Sequence, residues 1–233
     1  LEKSGIKFIF GKEITEISGE KVLAGSEEVA SGKVILLTTR EADLTALKDV
    51  NLEISNGNVV ANEKMESSLK NVYVPGDVNG KKLLAHAAFK MGDIAASEIV
   101  EGKSDKYNNN IIPRAIYTYP EIGSVGLTEE EAKKSYDVKV GKFNYGANGR
   151  ALAHGDSSGM VKIISDARYG EILGAHIVGP RASELINEVS VLMQSEVIVE
   201  EAIKMVFGHP TFSEAIYEAI ADVEGVSVHL PKK

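Results

Sequence analysis

The chain of 233 residues contains no cysteine. A protein without cysteine has no disulfide framework, no thiolate nucleophile and no cysteine-ligated zinc or iron–sulfur site. The five histidines are widely scattered and none has H-E-x-x-H spacing, so we expect no metal site. The absence of cysteine also favours, weakly, a reducing and therefore cytoplasmic setting.

The sequence also lacks a basic excess and a long apolar run. The formal net charge is −8, which argues against binding to nucleic acids or to anionic membranes. No apolar run approaches the roughly 18 residues that a membrane span requires. The first residues, "LEKSGIKFIF", have neither a signal-peptide layout nor an initiator methionine, so we expect the chain to begin inside a longer gene product. Its length suffices for one large domain or two modest ones.

Residues 1–110 are predicted to contain short strands and one long helix. Asn56-Gly57 is a turn signal, and apolar residues at three- and four-residue steps predict a helix from Leu84 that stops at Gly102. The segment 103–110 is polar and is interpreted as a linker between two domains, 1–110 and 111–233. The strand predictions are IKFIFG, EITEIS, KVLAG and KVILLTT within residues 1–40, and NVYVPGDV at 71–78.

Residues 111–233 are predicted to be an α+β domain. Thr128 and Glu131 have the spacing of a capping box, and Gly170 is expected in the turn of a hairpin formed by MVKIISD and EILGAHIVG. Further strands are predicted at RAIYTYP, GSVGLT and VKVGKFNY, and helices at 182–195, 198–206 and 211–223. The last helix has one apolar stripe, formed by Phe212, Ala215, Ile216, Ala219, Ile220 and Val223.

The stretch "GHPTFSEAI" at 208–216 allows two interpretations. In the first, Thr211 and Glu214 form a capping box at the start of the last helix, and His209 is incidental. In the second, Glu214 holds the ring of His209, which then exchanges a proton through its other nitrogen. The chain supplies no nucleophile for such a pair, since it has neither cysteine nor a G-x-S-x-G elbow.

The same stretch resembles the H-P-T-x-x-E signature of the flavoprotein disulfide reductases. Three other segments resemble that family in the same order, at 71–92, 113–133 and 147–189. The likeness is dense over residues 71–223 and looser before them. The stretch "GMVKIISD…ILGAHIVGP" is most similar to the branch of the family that acts on dihydrolipoamide.

The resemblance implies a fold, a reaction and a set of site residues. The fold would be a C-terminal interface domain, preceded by incomplete parts of the α/β domains that bind FAD and NAD. His209 would shuttle a proton to and from a dithiol, Glu214 would orient it, and both would serve the other subunit of a homodimer; a cis bond would precede Pro210. The substrate would be dihydrolipoamide or a lipoyl-bearing protein. Residues implied at the flavin are Asp77 through its side chain, and Leu83, Leu84, Ala85 and His86 through their backbone.

Several family features are missing from the sequence. It has neither the two G-x-G-x-x-G loops that hold dinucleotides nor the C-x-x-x-x-C redox pair. At 38–44 it has "TTREADL" where the family usually has G-R-x-P-N, with Thr39 at the glycine position, which weakens a contact with NAD. We therefore interpret the chain as the C-terminal part of such a reductase, inactive and without bound cofactor by itself.

Simpler interpretations of the same residues stay open. Asp77 could cap a turn, His86 could be a packing or exposed residue, His154 is expected in a loop, and His176 is expected to be solvent-facing or a satisfied edge residue. The whole chain could instead be a non-catalytic homodimerisation module, with the stripe at 211–223 and the helix at 182–195 as its homodimer face. It could also belong to a related reductase of the glutathione type.

Overall fold

The computed structural model describes residues 1–2 and 5–230. Its first part, up to residue 110, is built around one long helix. Helix α1 (Ala85–Glu101) ends at Gly102, which is left-handed and donates its N–H to the carbonyl of Glu98, as the sequence predicted. The short strands of this part are β1 (Glu16–Ser18), β2 (Lys21–Ala24), β3 (Glu27–Ser31), β4 (Ile54–Ser55) and β5 (Asn58–Val59).

Two small antiparallel sheets precede α1. Strands β1, β2 and β3 form one sheet, and β4 and β5 form a hairpin whose turn is Asn56-Gly57, both with positive φ. The strands predicted for 6–11 and 33–39 are wrong, because these runs pair with no other segment of the described residues and their apolar side chains are largely exposed. The run 71–78 makes only a single bridge, between Glu66 and Tyr73.

Helix α1 buries one face against segments that precede and follow it in the chain. Its buried residues pack with Met65 and with Tyr107, whose N–H also bonds to the carbonyl of Glu63 at 2.9 Å. Tyr107 lies in the stretch interpreted from sequence as a linker, so that stretch packs onto the first part of the chain. The division into domains at residue 110 stays a prediction.

The second part is an α+β domain, as predicted, and it contains a five-stranded antiparallel sheet. The strands lie in the order β6-β7-β10-β9-β8, and the hairpin of β9 and β10 turns at Gly170. The bounds are β6 (Arg114–Ile116), β7 (Glu121–Gly126), α2 (Glu129–Ala132), β8 (Val138–Asn144), α3 (Gly149–His154), β9 (Met160–Asp166), β10 (Ile172–Gly179), α4 (Ala182–Gln194), α5 (Val199–Ile203) and α6 (Glu214–Val223). Thr128 and Glu131 form the predicted capping box at the start of α2.

Helices α4 and α6 cover one face of the sheet. Strand residues alternate between faces, so Ile163 packs under these helices whereas Ile164 faces the other side, near α2. The predicted stripe of α6 is buried in this main core. It therefore stabilises its own domain, and the expectation that it forms a homodimer face is wrong.

No helix among the described residues is long and apolar enough to cross a membrane.

Candidate functional site

The site begins where α6 begins. Glu214 is the first residue of the helix, and one of its carboxylate oxygens accepts a hydrogen bond from Nδ1 of His209 at 2.7 Å. The other oxygen accepts the backbone N–H of Thr211, also at 2.7 Å. Both sequence interpretations thus describe part of one arrangement, in which a single carboxylate holds the loop and the ring.

The capping box itself is incomplete. The Thr211 hydroxyl donates to the carbonyl of Gly208 at 2.7 Å, and the N-cap of α6 is Ser213, which makes no side-chain cap. The helix therefore starts three residues later than predicted. The Ser213 hydroxyl donates instead to Glu188 on α4, at 2.7 Å, which ties the loop to the neighbouring helix. The His209–Pro210 bond is cis, as the resemblance implied.

The His209 ring is open to solvent while its partner is largely covered. The side chain of His209 is 75% exposed and that of Glu214 is 21% exposed. Because a carboxylate only accepts, Nδ1 carries the shared hydrogen, and in the neutral ring Nε2 keeps its lone pair. Nε2 has no hydrogen-bond partner within residues 1–2 and 5–230. Such an arrangement accepts a proton at Nε2 and stabilises the imidazolium that results.

Four of the five residues expected at the flavin line one cavity. Asp77, Leu83, Leu84 and Ala85 lie in the wall of a cleft of about 690 Å³. The remaining wall residues are Thr38, Thr39, Arg40 and Ala88. The first three residues of the stretch that departs from the family pattern thus lie in the wall of this same cleft, with Thr39 at the position where the family usually has glycine.

The cleft has features that suit a flavin nucleotide. Leu84 is the N-cap of α1 and makes no side-chain cap, so the first backbone N–H groups of the helix are available at the wall. Asp77 adds a carboxylate that accepts hydrogen bonds from hydroxyl groups. These donors and acceptors, set among the apolar Leu83, Leu84 and Ala85, fit FAD.

Two family models match the chain. Residues 112–220 match the dimerisation domain of the pyridine nucleotide-disulphide oxidoreductases, and residues 1–92 match the pyridine nucleotide-disulphide oxidoreductase model. The chain belongs to this family. The resemblance seen in the sequence to the flavoprotein disulfide reductases is thereby confirmed.

Curated relatives of this chain include several dihydrolipoyl dehydrogenases. One from Bacillus subtilis is 39% identical over 184 residues, which cover 78% of this chain and 40% of the relative. One from Thermus scotoductus is 35% identical over 244 residues, covering 99% of this chain and 52% of the relative. The mitochondrial enzyme of Pisum sativum is 33% identical and is covered to 48%. The chain thus spans about half the length of these relatives.

Solved structures show the same fold. LpdA from Mycobacterium tuberculosis superposes with a TM-score of 0.81 at 23% identity, over 88% of this chain and 46% of that one. The HOCl-induced flavoprotein disulfide reductase RclA from Escherichia coli gives a TM-score of 0.80 at 21% identity, over 94% of this chain and 53% of that one.

Three other histidines have structural contacts. Nε2 of His86 lies 2.7 Å from the carbonyl of Pro113, so its ring is tied to the second domain and does not line the cleft. His154 ends α3, with its ring 5.7 Å from that of Phe212, so the loop prediction is wrong. His176 lies on the central strand β10 and contacts the carbonyl of Leu127 at 3.2 Å; it is satisfied, as expected, but it is not on an edge.

A second histidine–carboxylate pair was missed by sequence reasoning. Nδ1 of His229 lies 2.8 Å from Glu218, which is one helical turn after Glu214 on α6. Glu218 also accepts the Ser227 hydroxyl and the backbone N–H groups of Val228 and His229. Burial alone would raise the pKa of this carboxyl, but the hydrogen bonds from Ser227 and His229 outweigh burial and lower it. No short motif links two residues eleven positions apart, so only the fold reveals the pair.

The described residues contain no group of three or more His, Asp or Glu side chains that could hold a metal ion.

Proposed function

We propose that this chain is the C-terminal part of a dihydrolipoyl dehydrogenase and supplies its acid–base pair. The observation that carries the proposal is the His209 ring, which is held at Nδ1 by Glu214 and open to solvent at Nε2. The curated relatives that match nearly the whole chain, such as the one from Thermus scotoductus, have the corresponding name. That likeness supplies the substrate class, a dihydrolipoyl group.

In the proposed step, Nε2 of His209 takes the proton of a substrate thiol. The S–H electron pair stays on sulfur, and the thiolate attacks one sulfur of a disulfide elsewhere in the enzyme, since this chain has no cysteine. A new S–S bond forms, and the second sulfur of the enzyme disulfide leaves as a thiolate. Glu214 stabilises the imidazolium that His209 has become.

Asp77, Leu83, Leu84 and Ala85 would hold FAD in the cleft before α1, while His86 would contribute only through its backbone. Bound FAD supplies the electron transfer between the enzyme dithiol and NAD. We assign no NAD contact to the side chains of residues 38–40.

The proposed enzyme is a homodimer in which the pair of one subunit serves the dithiol site of the other. Support comes from the match of residues 112–220 to a dimerisation domain. The apolar runs at 6–10 and 35–37 are largely exposed, with Leu37 90% exposed. Exposed runs of this kind mark contact surfaces. Because the chain has neither a redox cysteine pair nor a G-x-G-x-x-G loop, we expect it to be inactive alone and to require the remaining half of the enzyme.

The test is reconstitution. The chain is mixed with the N-terminal half of the Thermus scotoductus relative, and the mixture is separated by size-exclusion chromatography with a visible spectrum. We expect a yellow dimeric species that reduces NAD with dihydrolipoamide. In that species His209→Gln and Glu214→Gln should lower kcat/KM, the former by about 10²–10⁴-fold. The control Glu130→Gln removes an exposed carboxylate on α2 and should have no effect.

Other outcomes count against the proposal in distinct ways. Reduction of glutathione disulfide without oxidation of dihydrolipoamide would place the chain in the glutathione-type branch. Dimers without flavin or activity would favour the homodimerisation module. A yellow, active chain in the absence of the second half would contradict the proposed inactivity.

A further inference from the structure

The loop that carries His209 is held by a residue from a distant part of the chain. Asn148 lies more than sixty positions earlier, is 3% exposed, and is the N-cap of α3. Its Oδ1 accepts the N–H of Ala151 at 2.9 Å, which caps the helix. Its Nδ2 donates to the carbonyl of Thr211 at 3.1 Å. One buried amide thus performs two separate tasks, and only the second concerns the loop.

Thr211 is consequently held from both sides. Its carbonyl is bound by Asn148, and its N–H is bound by the carboxylate oxygen of Glu214 that does not touch His209. The orientation of Thr211 therefore sets where that oxygen lies, and the carboxylate is rigid, so its other oxygen is set as well. That other oxygen holds Nδ1 of His209.

We infer that Asn148 is a positioning residue for the His209–Glu214 pair, acting through the backbone of Thr211. The catalytic meaning of this inference rests on the proposed function, but the geometry does not. Without the amide donor the Thr211 carbonyl loses its partner among the described residues, one restraint on the loop is removed, and Glu214 holds the ring of His209 less firmly in one state.

The ring itself reports this effect. A carboxylate at Nδ1 favours the neutral tautomer with hydrogen on Nδ1, and the ratio of the two tautomers is measured from imidazole ¹⁵N shifts near pH 8, where an ordinary imidazole is neutral. The His209 signals are assigned with His209→Gln, and Glu214→Ala gives the ratio without the carboxylate. A role of Asn148 confined to capping α3 would leave this ratio unchanged.

Two substitutions separate the tasks of Asn148. Serine and aspartate are both good N-cap residues, so Asn148→Ser and Asn148→Asp retain the acceptor for Ala151 but remove the amide N–H that donates to Thr211. Aspartate leaves no side-chain donor at this position, and serine leaves only a hydroxyl on a shorter side chain. We expect Asn148→Ser to lower the ratio of Nδ1–H to Nε2–H tautomer by about fivefold, the factor that corresponds to the net worth of one neutral hydrogen bond. Asn148→Asp should lower it at least as far, because an acceptor then faces the Thr211 carbonyl.

A second N-cap asparagine, which is exposed, serves as a control. Asn108 also caps a helical turn, by accepting the N–H of Asn110 at 3.0 Å, and makes no bond to the loop of His209. Asn108→Ser should leave the tautomer ratio unchanged. The exchange rate of the Thr211 amide, which Glu214 protects, should rise in both Asn148 variants and not in Asn108→Ser.

Each result decides the inference. The inference is wrong if folded Asn148→Ser and Asn148→Asp both keep the wild-type ratio of the His209 tautomers. It is also wrong if Asn108→Ser lowers this ratio as much as the Asn148 variants do. If only Asn148→Asp folds, as judged by its thermal melt, that variant alone decides; if neither folds, Asn148 is structural and the inference is wrong. None of these measurements uses dithiol or flavin, so a failed reconstitution would contradict the proposed function and leave the positioning role standing.

Discussion

Replacing Glu218 by glutamine tests the idea that the second histidine–carboxylate pair serves stability. Glu218 is 3% exposed, and one of its oxygens accepts three hydrogen bonds, from the Ser227 hydroxyl and from the N–H groups of Val228 and His229. Glutamine keeps the shape but presents a neutral acceptor. Since charge-assisted hydrogen bonds are about twice as strong as neutral ones, we expect the free energy of unfolding at pH 7 to fall by about 2 kcal/mol.

The loss should depend on pH in a defined direction. The pKa of Glu218 is lower in the folded chain than its ordinary value of 4.5. A depressed pKa means that the carboxylate stabilises the fold fully above pH 4.5 and loses this contribution as the pH falls through the folded-state value. Urea unfolding of the wild type and of Glu218→Gln at neutral and acidic pH should therefore show that the difference between their free energies of unfolding shrinks below pH 4.5.

Glu224 provides the control. It lies just after α6 and pairs with Lys139 at 2.9 Å, but its side chain is 40% exposed, so Glu224→Gln should change stability by less than about 1 kcal/mol. A loss in Glu218→Gln no larger than in this control, or one that persists unchanged at acidic pH, would refute the reasoning.

Two further predictions concern packing and charge. Gly141→Ala should lower the free energy of unfolding by about 1–3 kcal/mol, because the added Cβ would clash with the backbone of α6. Gly146 has open space around it, so Gly146→Ala should be nearly neutral. Urea unfolding measures both, and equal effects of the two substitutions would contradict the prediction. Hydrogen bonds from Lys133 and Lys162 lower the pKa of Glu129 to about 2, so its side-chain carbon signal should titrate near that pH, and a midpoint above 4 would be inconsistent with the two bonds.

The sequence predicted the second domain well because its signals are local and long. Strands β8, β9 and β10 and helix α6 have periodic patterns of seven or more residues, and each pattern agrees with the face that the fold buries. The apolar runs at 6–11 and 33–39 have a composition that is equally typical of strands, but the strands predicted there were wrong. A strand exists only when another segment completes its hydrogen bonds, and composition does not report whether that segment is present.

Some contacts of the candidate site could be predicted from a local sequence pattern, and others could not. The pairing of His209 with Glu214 follows from five positions of spacing at a helix start, so it was accessible from sequence. The cleft brings residues 38–40 next to Asp77, and the second pair brings His229 next to Glu218. These contacts join segments that no local pattern connects, and they required the tertiary structure.

Glu214 is the first residue of a helix whose inner face forms the core of the domain. The acid that aligns the imidazole is therefore attached to the main core of the domain, which we expect to open only when the domain unfolds as a whole. On gradual heating, the alignment of His209 should survive until the domain melts as a whole, and should then vanish in the same cooperative event.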